Sequence, residues 1–322
     1  MSYNYIKKIG EILMKLKTKK NTDKLSIRED FRAYKQIYLL LLPAILFVFV
    51  FCYMPIPGLM ISFMDYDFLL GFKSPWVGFA NFKEIFTLPD FTASILNTIK
   101  LSVLNMTIVF IIPIIFALLL NELRNMIFKR VVQTISYLPH FLSWASVLGI
   151  SYTLFSKYGA VNSLISNFNP EYKRVMWLTI QDYFVPNVVM ITIWKNMGWD
   201  TIVYLAALSG IDQGMYEAAS IDGAGRFRKC WSITLPSLVP TITILFILAT
   251  GRMFNDNFEL IYGLQNTFID FDVISTLTYK FGIKNGEYSI ATALSMFQGV
   301  VNLGLIVITN YLSRKFNETS LW

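Results

Sequence analysis

Gly210-Ile-Asp-Gln-Gly-Met-Tyr-Glu-Ala-Ala-Ser-Ile-Asp-Gly-Ala-Gly-Arg-Phe-Arg-Lys-Cys-Trp-Ser-Ile-Thr-Leu-Pro236 is a polar interval between two long apolar runs. Asp212 suits an N-cap, because a short carboxylate can accept from the free N–H groups of a first helical turn. Gly223 and Gly225 are natural C-terminal breakers. Between these limits the spacing predicts about ten helical residues, roughly 15 Å of helix. Met215, Ala218, Ala219 and Asp222 then share one face. Small residues let another backbone approach, and Met offers a soft, adaptable contact. Such a helix suits the groove of a second protein, although an ordinary interfacial loop helix fits the same pattern.

The sequence on either side of this loop explains why it lies outside a membrane. Of 322 residues, 55% are apolar and only 15% charged, with mean hydropathy +0.51. Soluble domains carry about a quarter charged residues, so the composition predicts a multi-span membrane protein. Gln36–Met64, Leu101–Leu120, Val131–Ser156, Cys230–Gly251 and Tyr288–Ser313 hold no Asp, Glu, Lys or Arg, and a sixth run, Tyr183–Ile211, is interrupted by Lys195 and Asp200. A span needs about 20 apolar residues. Six transmembrane helices are therefore expected, near 37–62, 98–120, 133–155, 184–208, 234–254 and 289–312, in an all-α membrane protein.

Charge fixes the expected orientation. With the N-terminus inside, 18 of the 28 Lys and Arg residues fall in cytoplasmic segments and seven in outer loops. That bias follows the positive-inside rule and puts both termini in the cytoplasm. The first apolar run begins at residue 37 and is long enough to stay as an anchor, so no cleaved signal peptide is expected. Residues 1–36 form a basic cytoplasmic segment, and 37–322 the membrane domain. Within Tyr5–Lys17, apolar residues recur at helical spacing among lysines. An amphipathic helix on the anionic inner leaflet is the expectation, and nothing beyond charge suggests nucleic acid.

The two cysteines, Cys52 and Cys230, are far apart, and a single histidine, His140, cannot build a His-rich metal site. No Gly-x-x-x-x-Gly-Lys-Ser/Thr phosphate loop occurs. No catalytic residue and no metal site is expected. His140, after Pro139, reads as a packed neutral imidazole, and the close acid pairs Asp65/Asp67 and Asp270/Asp272 as loop solvation.

Two groups could meet a solute. Trp194, Lys195, Asn196 and Trp199 combine aromatic faces, which stack on sugars, with polar groups that can bond hydroxyls. A charge inside a span usually faces a polar cavity or a partner, and for Lys195 a packing role or an ion pair with Asp200 is the competing reading. On a regular helix, five residues turn about 500°, which leaves these two side chains about 140° apart. Near the end of the fifth span, Arg252, Asn255, Asp256, Asn257 and Glu259 form the second group, where a gate or a loop support fits equally well.

Glu217-Ala218-Ala219, three residues, Gly223, nine residues, then Ile233-x-Leu235-Pro236 resembles the EAA loop of ABC importer permeases at every consensus position. Ile193-Trp194-Lys195-x-x-Gly198-Trp199, Trp76-Val77-Gly78-Phe79-x-Asn81-Phe82 and the closing Ser320-Leu321-Trp322 are similar to the sugar-permease subgroup, in particular its complex-oligosaccharide branch. Asn257, ahead of Phe258-Glu259, departs from the glycine usual there. The resemblance covers roughly residue 37 to the C-terminus. It implies a type I importer permease fold in the bacterial cytoplasmic membrane, with residues 210–236 as the coupling loop. Glu217, Ala218, Ala219 and Gly223 would be the core of contact with an ATPase, flanked by Met215, Asp222 and Gly225. It further implies a second, homologous permease, a dimer of ATP-binding subunits holding ATP and Mg, an extracellular solute-binding protein and an oligosaccharide substrate. No cofactor is expected in this chain itself. An importer for a non-sugar solute, an ion-coupled secondary transporter and a membrane-embedded glycan enzyme are the alternatives.

Overall fold

Residues 34–255 and 257–317 are described by the computed structural model; among them no strand forms, and an isolated antiparallel bridge joins Met64 to Trp76. The expected helix over Tyr5–Lys17, the site candidate Asp256 and the Ser320–Trp322 tail lie outside the described residues. The backbone divides into two units, Met1–Leu59 and Met60–Trp322, where charge alone suggested a boundary after residue 36.

In the first unit, α1 (Lys35–Val48) runs into a π turn over Phe49–Tyr53, and no residue of either is buried. A helix apolar on every face suits a membrane span.

The second unit contains α2 (Ala80–Ile85), α3 (Pro89–Leu104), α4 (Ile111–Glu122), α5 (Met126–Tyr137), α6 (Trp144–Leu154), α7 (Ala160–Phe168) and α8 (Gln181–Ser209). It continues with α9 (Gln213–Ile221), α10 (Arg226–Lys229), α11 (Leu235–Thr250), α12 (Phe258–Leu264), α13 (Ile274–Tyr279) and α14 (Tyr288–Asn317). Among the described residues, four stretches are long and apolar enough to cross a bilayer: Lys35–Phe63, Pro89–Glu122, Arg226–Thr250 and Tyr288–Lys315.

The expected third and fourth spans differ from these. The third is broken: α5 stops at Tyr137, a 3-10 turn covers Leu138–Phe141, and α6 starts at Trp144. Pro139 sits in that turn and has no N–H to continue the ladder. The chain restarts where Ser143 accepts from the Ser146 amide at 3.2 Å. The fourth span, α8, is unbroken over 29 residues but carries Asp182, Lys195 and Asp200. Its passage through lipid depends on where those charges point.

Proline also leaves a signature elsewhere. The π turns Phe49–Tyr53, Asn105–Val109 and Cys230–Thr234 each precede a proline within four residues: Pro55, Pro113 and Pro236. A wide turn there absorbs the missing donor and the clash of the ring with the preceding turn. The carbonyl of Pro113 accepts from Thr201 Oγ1 of α8 at 3.2 Å, which ties α4 to α8.

Three apolar clusters hold the unit together. Ile114 and Ala117 of α4 meet Tyr204 and Leu208 of α8 and Leu238 of α11. Val147, Phe184, Val188 and Ile191 pack with Leu260, Ile261 and Phe271. A third cluster joins Ile85 and Phe91 to Leu277, Ile290 and Leu294.

Candidate functional site

Residues 210–236 fold as Asp212 and Gly223 predict at the two ends of their helix. The Asp212 carboxylate accepts from the Gly214 amide at 2.9 Å and caps α9. At the other end Gly223 takes φ +76°, a left-handed conformation that favours glycine. Its amide bonds the Ser220 carbonyl at 3.1 Å, and the Ala224 amide bonds the Ala219 carbonyl at 2.8 Å. This pair of bonds is a Schellman closure. Gly225 has another role: it is extended, at φ −70° and ψ 170°, and precedes α10 as its N-cap rather than breaking α9.

The face of α9 also differs from expectation in one position. Met215, Glu217, Ala218, Ile221 and Asp222 are exposed, whereas Ala219 is half-buried with Tyr216 on the side turned to the rest of the chain. Tyr216 Oη lies 2.9 Å from Thr234 Oγ1, and Lys229 Nζ donates to Ser220 Oγ at 2.5 Å. These bonds fasten the exposed helix to the start of the Arg226–Thr250 span.

Lys195 is buried, and its ammonium enters the break in the third span. Nζ donates to the carbonyls of Leu142 at 2.6 Å, His140 at 2.8 Å and Pro139 at 3.4 Å, and lies 5.1 Å from the Trp144 ring. All three of its protons have a carbonyl to meet. These carbonyls lie beyond α5, in the 3-10 turn and at its exit, and that of Pro139 also accepts from the Leu142 amide at 3.2 Å. A lysine at the centre of a span costs about 3 kcal/mol to insert. Hydrogen bonds to a charged donor return about 1.5–3 kcal/mol each, so three offset that cost. The ion pair with Asp200 does not form: along the unbroken α8, Lys195 is buried while Asp200 is exposed.

The other members of the first group separate into two places. Asn196 Oδ1 is 3.2 Å from His140 Nδ1, and the His140 ring stacks on Trp199 with centroids 4.5 Å apart and planes within 3°. Phe141 meets the same indole edge-on at 5.5 Å. Trp194 faces elsewhere, in an apolar pocket with Ile150, Leu154 and Met190. Gly198 is where α8 and α5 approach most closely, since a Cβ there would run into the Ser136 carbonyl.

Trp199 and Asp200 line a cavity of about 390 Å³ together with Phe110, Tyr204, Leu248 and Arg252. It brings the aromatic group of α8 and Arg252 of the second group to one wall. The remainder of the second group serves the backbone. Asn257 caps α12 by accepting from the Leu260 amide at 3.3 Å. Asn255 Oδ1 accepts from Asn302 Nδ2 at 2.9 Å, and Asn302 Oδ1 accepts from the Phe254 amide at 3.0 Å. Gln298 Nε2 donates to the Phe254 carbonyl, and Ser102 Oγ to that of Met253. Thus the turn that follows α11 is held by side chains from α3 and α14, residues that the sequence reading did not single out. Their signal was the spacing of Gln298 and Asn302, four apart and so on one face of α14. Asp272 likewise does more than solvate a loop: it accepts from Gln265 and Thr276 and pairs with Lys280.

Comparison with known proteins agrees with this arrangement. Residues 109–318 match the family described as the binding-protein-dependent transport system inner membrane component. The chain is 44% identical over 292 residues to protein LplB of Bacillus subtilis strain 168, covering 89% of this chain and 91% of that one. It is 40% identical, over 89% of this chain and 90% of the relative, to the polygalacturonan/rhamnogalacturonan transport system permease protein YteP of the same organism. A crystal structure of a bacterial alginate ABC transporter, in complex with alginate pentasaccharide-bound periplasmic protein, contains a chain that superposes with TM-score 0.82 at 36% identity, covering 92% of this chain and 99% of that one.

Proposed function

The chain belongs to the family of binding-protein-dependent transport system inner membrane components, and we propose that it is one permease of an ATP-driven importer that carries an oligosaccharide across the cytoplasmic membrane. The observation that carries this reading is the exposed, doubly capped helix Gln213–Ile221, bonded through Tyr216 and Lys229 to the next span. It has the shape and the attachments of a lever driven from outside the chain. ATP and Mg belong to a dimer of separate ATP-binding subunits, which receives Met215, Glu217, Ala218 and Asp222. A second, homologous permease completes the path through the lipid bilayer, and an extracellular binding protein delivers the solute. Nucleotide-driven closure then biases the two arrangements of the path, as alternating access requires.

The cavity at Trp199, Asp200 and Arg252 supports a saccharide as cargo, since it offers an aromatic face beside charged hydrogen-bonding groups. Relatives named for polygalacturonan/rhamnogalacturonan and alginate support the same class. Trp199 lines it, and Asn196 holds the His140 ring that stacks on Trp199; Asn255, Asn257 and Glu259 border the path beyond α11. Residues 1–36 serve as a basic anchor segment on the inner leaflet.

The test is uptake by the complete transporter carrying Glu217→Lys. The variant is expected to reach the membrane in normal amount and to lose at least tenfold in uptake. Normal uptake would remove α9 as the coupling element. Pull-down of the wild-type chain in mild detergent should recover an ATPase and a second permease.

A further inference from the structure

We propose that Lys195 is a positioning residue for transport: its ammonium holds the break in the third span open and so sets His140 and Phe141 against Trp199 at the wall of the cavity. The inference rests on the permease reading above and adds a part that reading does not supply. Three observations converge on it. First, the ammonium is buried and meets three carbonyls, those of Pro139, His140 and Leu142, within a stretch of four residues. Second, two residues of that same stretch, His140 and Phe141, turn their rings onto Trp199, which lines the cavity. Third, Asn196, the neighbour of Lys195 on α8, fixes the His140 ring through its Nδ1. Lys195 thus grips the backbone of the break while Asn196 and Trp199 grip its side chains.

The chemistry explains why a lysine serves here. A broken helix within lipid must have its freed carbonyls satisfied by neighbouring groups. An aliphatic side chain at position 195 offers no donor, and the break would close toward a helix or draw water. Either change rotates His140 away from the indole. A compact ammonium on a flexible stem can reach three diverging carbonyls, whereas the donors of a guanidinium all lie in one plane and cannot follow carbonyls that diverge from it. The device is therefore graded: Arg retains part of it, and Met none.

The experiment uses the complete transporter in liposomes, with its ATPase, second permease and binding protein, and compares Lys195→Met, Lys195→Arg and His140→Leu. Complex yield and the maximal rate of saccharide uptake are measured for each. Expected results are a tenfold or larger fall in uptake for Lys195→Met, recovery to within threefold of wild type for Lys195→Arg, and a fall of several-fold for His140→Leu. The double variant Lys195→Met/His140→Leu should transport no worse than Lys195→Met alone, because both changes remove one arrangement. Wild-type uptake by an intact Lys195→Met complex overturns the proposal. If Lys195→Met fails to assemble, His140→Leu decides: normal uptake by that variant means the break presents nothing to the path. A wild-type transporter that moves no saccharide refutes the proposed function, an outcome distinct from variants that match an active wild type.

Discussion

Two helix ends in this chain face the same problem and solve it differently. The end of α9 lies in the polar loop 210–236 and satisfies its last carbonyls with its own backbone, through the left-handed Gly223 and the amides of Gly223 and Ala224. The end of α5 runs into the break of the third span, where carbonyls of the turn are met by the ammonium of Lys195, 55 residues further along the chain from His140. The contrast follows from solvent. At the membrane surface water stands ready for whatever the backbone leaves unpaired, so a local closure suffices. Within lipid an unpaired carbonyl costs several kcal/mol, so a strong, charged donor must be brought from a neighbouring helix. The first end can fold alone; the second exists only once two spans have packed.

The largest effect that would break this comparison is expected at Gly198. A Leu there forces α8 away from Ser136 and carries Lys195 out of reach of the break. Overpacking of this kind costs about 1–3 kcal/mol, and the lost ammonium bonds add to it. Gly198→Leu should therefore lower the thermal midpoint of the purified complex markedly and reduce its yield. An unaltered midpoint would show that the two spans are not held by this contact.

A smaller, local effect is expected at the other end. Gly223→Ala places a Cβ on a left-handed residue and should cost about 1–2 kcal/mol, while Gly223→Asn should cost less, because Asn tolerates that region. The difference should appear in helix content and amide-exchange protection of residues 213–222, with spans unaffected. Smallest of all is Asp212→Ala, which removes the N-cap for about 1 kcal/mol. Fraying at Gln213 and Gly214, read by the same exchange measurement, is the expected sign. If either coupling-loop change instead disturbed protection in α5 or α6, the two ends would not be independent.

The same division governs what the sequence discloses. The limits of α9 were legible because capping is local: Asp212 and Gly223 act on residues within five positions of themselves. Gly225 misled for the same reason, since a glycine two residues beyond a closed helix serves the next element instead. The apolar runs disclosed four crossings directly. The third was hidden in an uncharged window, because composition does not register a break that Pro139 makes and Lys195 stabilises. The sequence posed Lys195 as a charge in need of a partner, and an acid five residues away was the visible candidate. Its actual partners are carbonyls, which every residue carries and no sequence distinguishes. Trp199 and Arg252 line one cavity from two spans, a proximity that only packing creates.

The turn after α11 bears on how the protein is made. Its Met253 carbonyl is met by Ser102, from a helix synthesised earlier, but its Phe254 amide and carbonyl wait for Asn302 and Gln298 in the last helix of the chain. During synthesis the fifth span therefore enters the membrane with its far end unfinished, and the ribosome must add some fifty residues before the missing groups arrive. A chain cut short before α14 carries exposed backbone polarity at that end. An incomplete copy thus differs from a complete one in backbone groups whose partners have not yet been made.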